Sequence, residues 1–330
     1  MENRNTNMID SNFYSTANEG SWFARIDGFD ENQLRWHQSV EAIDIRKLKR
    51  AEGQNNIAIL GFASDEGVQR NKGRVGAAKA PERIRRLCSS LPMIEGVKIY
   101  DAGDVSCYEE QLEKAQQQLA VAVGKLLSHG YTPLLLGGGH EIVYGHYKGV
   151  KQSFSSEKVG IISFDAHFDL RKPDSKGVNS GTGFWQIAEA SNHAPLDYLA
   201  IGIQKASNTR ELFEEADKLQ ASYIFDSEFN PTQIDYLRKK IASFCDKVDK
   251  VYLTIDMDAF SSAYAPGVSA SNPKGLTPDF VFDDCLRGIF STGKVVSIDV
   301  AEVNPNFDLD NRTSKLAARL ISDMLNLLSG

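Results

Sequence analysis

Three short runs of this 330-residue chain carry side chains that can hold metal ions: Gly137-Gly138-Gly139-His140-Glu141, Asp165-Ala166-His167-Phe168-Asp169 and Asp256-Met257-Asp258. His140, Asp165, His167, Asp169, Asp256 and Asp258 together offer two imidazoles and four carboxylates. Donors of that hardness and number exceed what one ion needs, and they suit a pair of divalent ions of the Mn²⁺ type. Such a pair generates and clamps a hydroxide for hydrolysis. The alternate spacing in the second and third runs puts their side chains on one side of an extended segment. Four carboxylates buried together without cations would be strongly destabilising, which favours the metal reading. The runs point to a binuclear metallohydrolase.

Each run stands at or just after the end of an apolar stretch of β type. His140 follows Leu134-Leu135-Leu136, Asp165 follows Ile161-Ile162-Ser163-Phe164, and Asp256 follows Tyr252-Leu253-Thr254-Ile255. Strands are expected over 57–61, 97–100, 132–136, 159–164, 198–203, 222–225, 250–255 and 295–300. Helices are expected over 80–89, 109–128, 141–150, 208–219, 232–246, 278–290 and 312–328, the second closing at His129-Gly130. Strands with no polar face, separated by helices, indicate a parallel sheet covered on both sides. The expected fold is a three-layer α/β/α arrangement around a central, mostly parallel sheet of about eight strands. Ligands of such sheets bind outside the carboxyl ends of the strands, where all three runs lie.

Residues 1–55 are polar, with aromatic islands at Trp22, Phe23 and Trp36. They read as an N-terminal extension with helical stretches, packed on a single catalytic domain of residues 56–330. A hydrophobic content of 42% and a charged content of 25% are ordinary for a protein with a packed core. The net charge of −7 argues against broad binding to nucleic acid or anionic membranes. The polar N-terminus and the lack of any long apolar run predict a cytoplasmic protein, with Cys88, Cys107, Cys245 and Cys285 as reduced thiols. The triple glycine lacks the Lys-Ser/Thr of a phosphate loop, and so reads as a tight turn that aims His140. His129 closes a helix, where positive charge is favourable. His37, His146 and His193 read as structural or exposed.

In combination the runs resemble the ureohydrolases, the family of arginases, agmatinases, guanidinobutyrases and formimidoylglutamases. The likeness extends from about Ile57 to the C-terminus and includes Asp299-Val-Ala-Glu302-Val-Asn-Pro305. It implies two Mn²⁺ ions, one held by His140 and Asp169, the other by His167 and Asp258, with Asp165 and Asp256 bridging both. It also implies that Glu302 holds the substrate's amidine or guanidinium, that Asp169 moves the proton, and that copies of the chain can assemble.

The loop after Asp169 has no histidine before His193, whereas arginases carry one there. Its Asn179-Ser180-Gly-Thr182 run is instead similar to formimidoylglutamases, as is the segment from Asp65 to Ala77. That resemblance implies hydrolysis of N-formimidoyl-L-glutamate to L-glutamate and formamide. A substrate with two carboxylates wants guanidinium forks, and Arg171, Arg70 and Arg74 stand on rim loops; Asn179 and Ser180 join them as candidate binding residues. Two other readings stay open: a guanidine hydrolase of the arginase or agmatinase type, and an idle ureohydrolase-like binding protein. A phosphate- or nucleotide-binding doubly wound protein would show no metal dependence.

Overall fold

Strands whose successive side chains are all apolar must bury both faces, and the molecule does this with two layers of helices. The computed structural model describes residues 8–329. Its strands are β1 (Tyr14–Ser15), β2 (Glu41–Ala42), β3 (Asn56–Ala63), β4 (Lys98–Ser106), β5 (Thr132–Leu136), β6 (Val159–Phe164), β7 (Tyr198–Ile203), β8 (Ser222–Phe225), β9 (Lys250–Asp256) and β10 (Val295–Ala301). The helices are α1 (Trp36–Ser39), α2 (Glu66–Arg70), α3 (Ala80–Cys88), α4 (Leu112–Ser128), α5 (Ile142–Ser153), α6 (Gly183–Ala190), α7 (Arg210–Lys218), α8 (Ile234–Cys245), α9 (Phe280–Phe290) and α10 (Arg312–Ser329).

The sheet runs β1-β4-β3-β5-β10-β9-β6-β7-β8, with β2 also on β4. Every pairing is parallel except β1 with β4. The pleat sends Leu134 and Leu136 of β5 into one core and Leu135 into the other; Ile162 and Ile161 of β6 divide the same way. One core is closed by α3, α8, α9 and α10, the other by α4, α5, α6 and α7. The expected α/β fold and its eight long strands are present. Two two-residue strands, α2 and α6 were not expected. Among the described residues no helix is long and apolar enough to cross a membrane.

Four of the strands matter most for chemistry. β5, β10, β9 and β6 are neighbours in the sheet, although β9 and β10 lie more than eighty residues beyond β6 in the chain. All four point the same way, so the segments leaving their carboxyl ends meet on one rim.

Residues 8–55 hold one four-residue helix and several 3₁₀ turns in place of longer helical stretches; residues 1–7 lie outside the described residues. This segment wraps the β4 edge, with Trp36 in one core and Phe13, Tyr14 and Ile45 in the other. It is pinned by a buried charge cluster. Arg85 of α3 donates to Asp101 Oδ1 (2.9 Å) and Asp104 Oδ1 (2.7 Å), while Trp22 Nε1 donates to Asp101 Oδ2 (2.7 Å). Replacing Arg85 by alanine leaves Asp101 buried without a counter-charge. We expect Arg85→Ala to lose about 3–5 kcal/mol of stability. Urea unfolding measures it, and the folded fraction should keep its specific activity.

Candidate metal centre

The Gly137–Gly139 turn brings His140 to the rim between two strand ends. Gly137 N–H donates to Val300 O (2.8 Å), Gly139 N–H to Ser64 O (3.0 Å), and Gly138 O accepts from Glu302 N–H (2.8 Å). A Cβ on Gly138 would stand 1.7 Å from Ser64 O, so this passage admits only glycine.

His140 is buried and turns Nδ1 toward three carboxylates: Asp169 Oδ2 at 2.8 Å, Asp165 Oδ2 at 3.1 Å and Asp256 Oδ2 at 3.4 Å. His167 Nδ1 lies 3.1 Å from Asp258 Oδ2 and 3.4 Å from Asp165 Oδ1. The donor atoms fall into two overlapping triads, His140–Asp165–Asp169 and Asp165–His167–Asp258, which share Asp165. Asp256 stands beside the first triad through its approach to His140.

The extended geometry expected for the second and third runs is not what delivers these side chains. Asp169 sits in the left-handed region (φ 48°), and Asp258 lies in a 3₁₀ turn, its own N–H donating to the capping Asp256 Oδ1 at 2.7 Å. Bends, not alternation, gather the carboxylates. Glu302 is also left-handed, with φ 65°. Holding an L-residue there costs about 1–2 kcal/mol, and both such residues of the site carry carboxyl groups.

The electrostatics are those of a cation site. Burial, and then the nearby charge of Asp165, raises the Asp169 pKa, and burial raises Asp256 and Glu302 well above the carboxylate range. Burial opposes charge on His140, but hydrogen bonding to Asp165 and Asp169 and the charges of Asp256 and Asp165 together outweigh it and raise its pKa well above the ordinary value. Asp258 Oδ1 and Glu302 Oε2 are buried with no hydrogen-bond partner among the described residues. Five clustered acids against two imidazoles, with oxygen atoms left over, fit divalent cations.

Behind His140 stands a buried chain that sequence reasoning missed. Thr254 donates its only hydroxyl proton to Asp299 Oδ1 (2.6 Å), so at Thr254 Oγ1 it must accept from His140 Nε2–H (3.0 Å). Asp299 also accepts from the Tyr252 hydroxyl, and His146 Nδ1 lies 2.6 Å from Asp299 Oδ2. The chain fixes the tautomer that leaves Nδ1 free for a metal. Polar residues in otherwise apolar β9 and β10 were the available signal. Of the remaining histidines, His129 Nδ1 meets Lys125 O (2.7 Å) at the end of α4, and His193 pairs with Glu189 (2.7 Å) on the surface.

A cavity of about 260 Å³ opens onto the triads and is lined by His140, His167, Asp169, Asp256, Asp258 and Glu302, together with Asn71, Gly73, Arg171, Ser180, Ser269 and Ala270. Glu302 Oε1 accepts from His140 N–H (2.9 Å), which leaves the orphan Oε2 for a ligand. Arg171 is exposed at the rim, and among the described residues its guanidinium has no partner.

Arg70 and Arg74 are not brought to this cavity. Arg70 spends its donors on Glu66 (2.8 Å), Glu113 (2.8 Å) and the carbonyls of Glu110 and Val178. Arg74 bonds the carbonyls of Ser269 and Val268 and stacks over Phe307. Asn179 caps its own turn through Gly181 N–H (3.0 Å), whereas Ser180 reaches the cavity.

Paired buried triads at the carboxyl rim of a parallel sheet, with an acid free to hold a cationic substrate, define a metal-dependent amidine hydrolase. The chain belongs to the arginase family, whose model matches residues 55–326. It is 42% identical to a formimidoylglutamase of Chromobacterium violaceum over 303 residues, covering 91% of this chain and 95% of that protein. It is 41% identical to a formimidoylglutamase of Clostridium tetani, covering 96% of each. A formiminoglutamase of Trypanosoma cruzi, solved with Mn²⁺, superposes with a TM-score of 0.74 at 26% identity, covering 86% of this chain and 96% of that one.

Proposed function

We propose that this chain hydrolyses N-formimidoyl-L-glutamate to L-glutamate and formamide, using two Mn²⁺ ions. One observation carries the choice of substrate: the cavity that holds the triads is lined by Glu302, whose Oε2 is unpartnered, and by Arg171, whose guanidinium has no partner among the described residues. That polarity fits a ligand with an amidinium at one end and a carboxylate at the other. The relatives at about 40% identity bear the name of this activity. His193, the first histidine after Asp169, pairs with Glu189 on the surface, as the arginase alternative would not have it.

His140, Asp165 and Asp169 would hold one ion, and Asp165, His167 and Asp258 the other, with Asp256 as a second bridging carboxylate. When bound, the ions supply a water acidic enough to give hydroxide near neutral pH and polarise the carbon it attacks. Glu302 Oε2 accepts from the amidinium N–H groups and holds the planar carbon with one face open to the triads. Asp169 receives the proton lost by water and passes it to the α-nitrogen as the C–N bond breaks. Water thus adds oxygen to the formimidoyl carbon, and the amine leaves with a proton. Four free thiols agree with a cytoplasmic setting.

Protein stripped with chelator and reloaded with Mn²⁺ should release formamide from formimidoylglutamate. Urea release from arginine or agmatine, without that formamide, would replace the reading with a guanidine hydrolase. Arg171→Ala should raise KM about 10- to 100-fold, the scale of one charged hydrogen bond. Its kcat and melting temperature should barely change, because the side chain holds nothing else in place.

A further inference from the structure

His146 is the one fully buried histidine that the mechanism leaves without a task. It stands on α5, and both of its ring nitrogens meet oxygen. Nδ1 lies 2.6 Å from Asp299 Oδ2, and Nε2 lies 2.5 Å from Ser297 Oγ. Proton counting decides the charge of the ring. Asp299 already accepts from the Thr254 hydroxyl at Oδ1 and from the Tyr252 hydroxyl at Oδ2. Of Asp299 and the imidazole, the imidazole is the stronger base, so the proton between them sits on Nδ1. Ser297 has a single hydroxyl proton and donates it to Pro133 O (3.2 Å), a carbonyl that can only accept. The Ser297 oxygen must therefore accept from His146 Nε2–H. A proton on each nitrogen makes the ring an imidazolium.

We propose that His146 is a buried imidazolium that fixes the direction of the hydrogen-bond chain behind His140, and is thereby a positioning residue for the ion His140 would hold; the inference rests on the metal reading above. Its surroundings suit a cation. The Tyr252 ring of β9 lies 4.3 Å from the imidazole between centroids and offers its π face. Asp299 of β10 supplies the counter-charge, and neither side chain of the pair touches solvent. In so dry a site each charge depends on the other.

The direction matters because the chain could also run backwards. Thr254 and Asp299 are register partners on β9 and β10, so their contact is built into the sheet. With Asp299 ionised, protons run from His140 Nε2 to Thr254 and from Thr254 to Asp299. An Asp299 left buried without its counter-charge would take up a proton, since burial favours the neutral acid. It would then donate to Thr254, and Thr254 to His140 Nε2. The imidazole of His140 would keep its proton on Nδ1, the atom turned toward Asp165 and Asp169, where it cannot bind a metal. The charge on His146 excludes that reversal.

Nitrogen NMR of the metal-free protein, labelled with ¹⁵N-histidine, reads the charge without any substitution. His146, assigned through its contact with the Tyr252 ring, should show two N–H nitrogens at mildly alkaline pH, where a free imidazole is neutral. One bare ring nitrogen would overturn the proposal. His146→Asn keeps a donor near the Nδ1 position and removes the charge. It should weaken Mn²⁺ binding at one of the two sites by about 10- to 100-fold, the scale of lost support behind a metal-bound histidine. Saturating Mn²⁺ should restore kcat, with KM unchanged, which a merely structural defect would not allow. Thr254→Val cuts the chain itself and should show the same loss, and the double variant should lose no more than either. Additive losses, or equal weakening at both sites, would refute the positioning role. Wild-type protein that binds no Mn²⁺ would sink the metal reading while the spectrum still decides the charge of His146, so the two failures are distinguishable.

Discussion

Asp165→Ala abolishes turnover and metal pairing together. Asp165 is the one residue common to both triads, and it is completely buried. Its Oδ1 also accepts from His167 N–H (2.6 Å), so the same carboxylate aims a neighbouring ligand. Without it each triad drops to two protein donors, too few to hold a second ion against water. The fall in kcat should be about a thousandfold or more, the scale of several kcal/mol of lost transition-state stabilisation. Metal analysis of the purified variant should find at most one ion per chain. Melting supplies an independent readout. Ions that bind only the folded protein raise its stability by about 2.7 kcal/mol at a hundred times Kd. Wild-type protein should show that response to Mn²⁺, and the variant should show little of it. A variant that keeps two ions and full activity would refute the shared-ligand assignment.

Glu302→Gln separates substrate binding from metal binding. Glutamine can still accept from His140 N–H through its carbonyl, so the ligand turn stays in place. What it loses is the charge on the orphan Oε2, the atom placed to hold an amidinium. A preorganised charge facing a cationic reacting group is worth about 10²–10³ in rate. We expect kcat/KM to fall by that factor, with Mn²⁺ content and melting temperature unchanged. Loss of metal along with activity would mean that Glu302 acts as a ligand, and wild-type kcat/KM would remove it from the mechanism.

The candidate metal ligands were legible as a cluster because their chemistry is local. An Asp-x-His-x-Asp run directly after a buried strand declares both its donors and its place in the sheet, whatever the rest of the chain does. The backbone path was less legible. Alternation pointed to extended segments, yet Asp169 and Asp258 reach the site from a left-handed residue and a 3₁₀ turn. Close packing of acids around a small volume requires bends that no two-residue period describes. Arginine roles were the hardest to read. Arg70 and Arg171 look alike as rim arginines, but Arg70 finds Glu66 four residues back on its own helix turn and Glu113 across the groove, whereas Arg171 finds no partner among the described residues. Whether a long side chain is free depends on which acids and carbonyls surround it in space.

The sequence by itself determined the donor set, the strand each donor follows, and the α/β layering, because these depend on side-chain chemistry and on apolar runs that must be covered on both faces. Only the tertiary structure decided that β9 and β10 insert between β5 and β6, which makes His140, Asp165, Asp256 and Glu302 neighbours. Strand order is set by the packing of whole helical layers over the sheet, and no local spacing in the chain encodes it. The same long-range packing brought Asn71 against Ser180, more than a hundred residues away, and placed Thr254 and Asp299 behind His140.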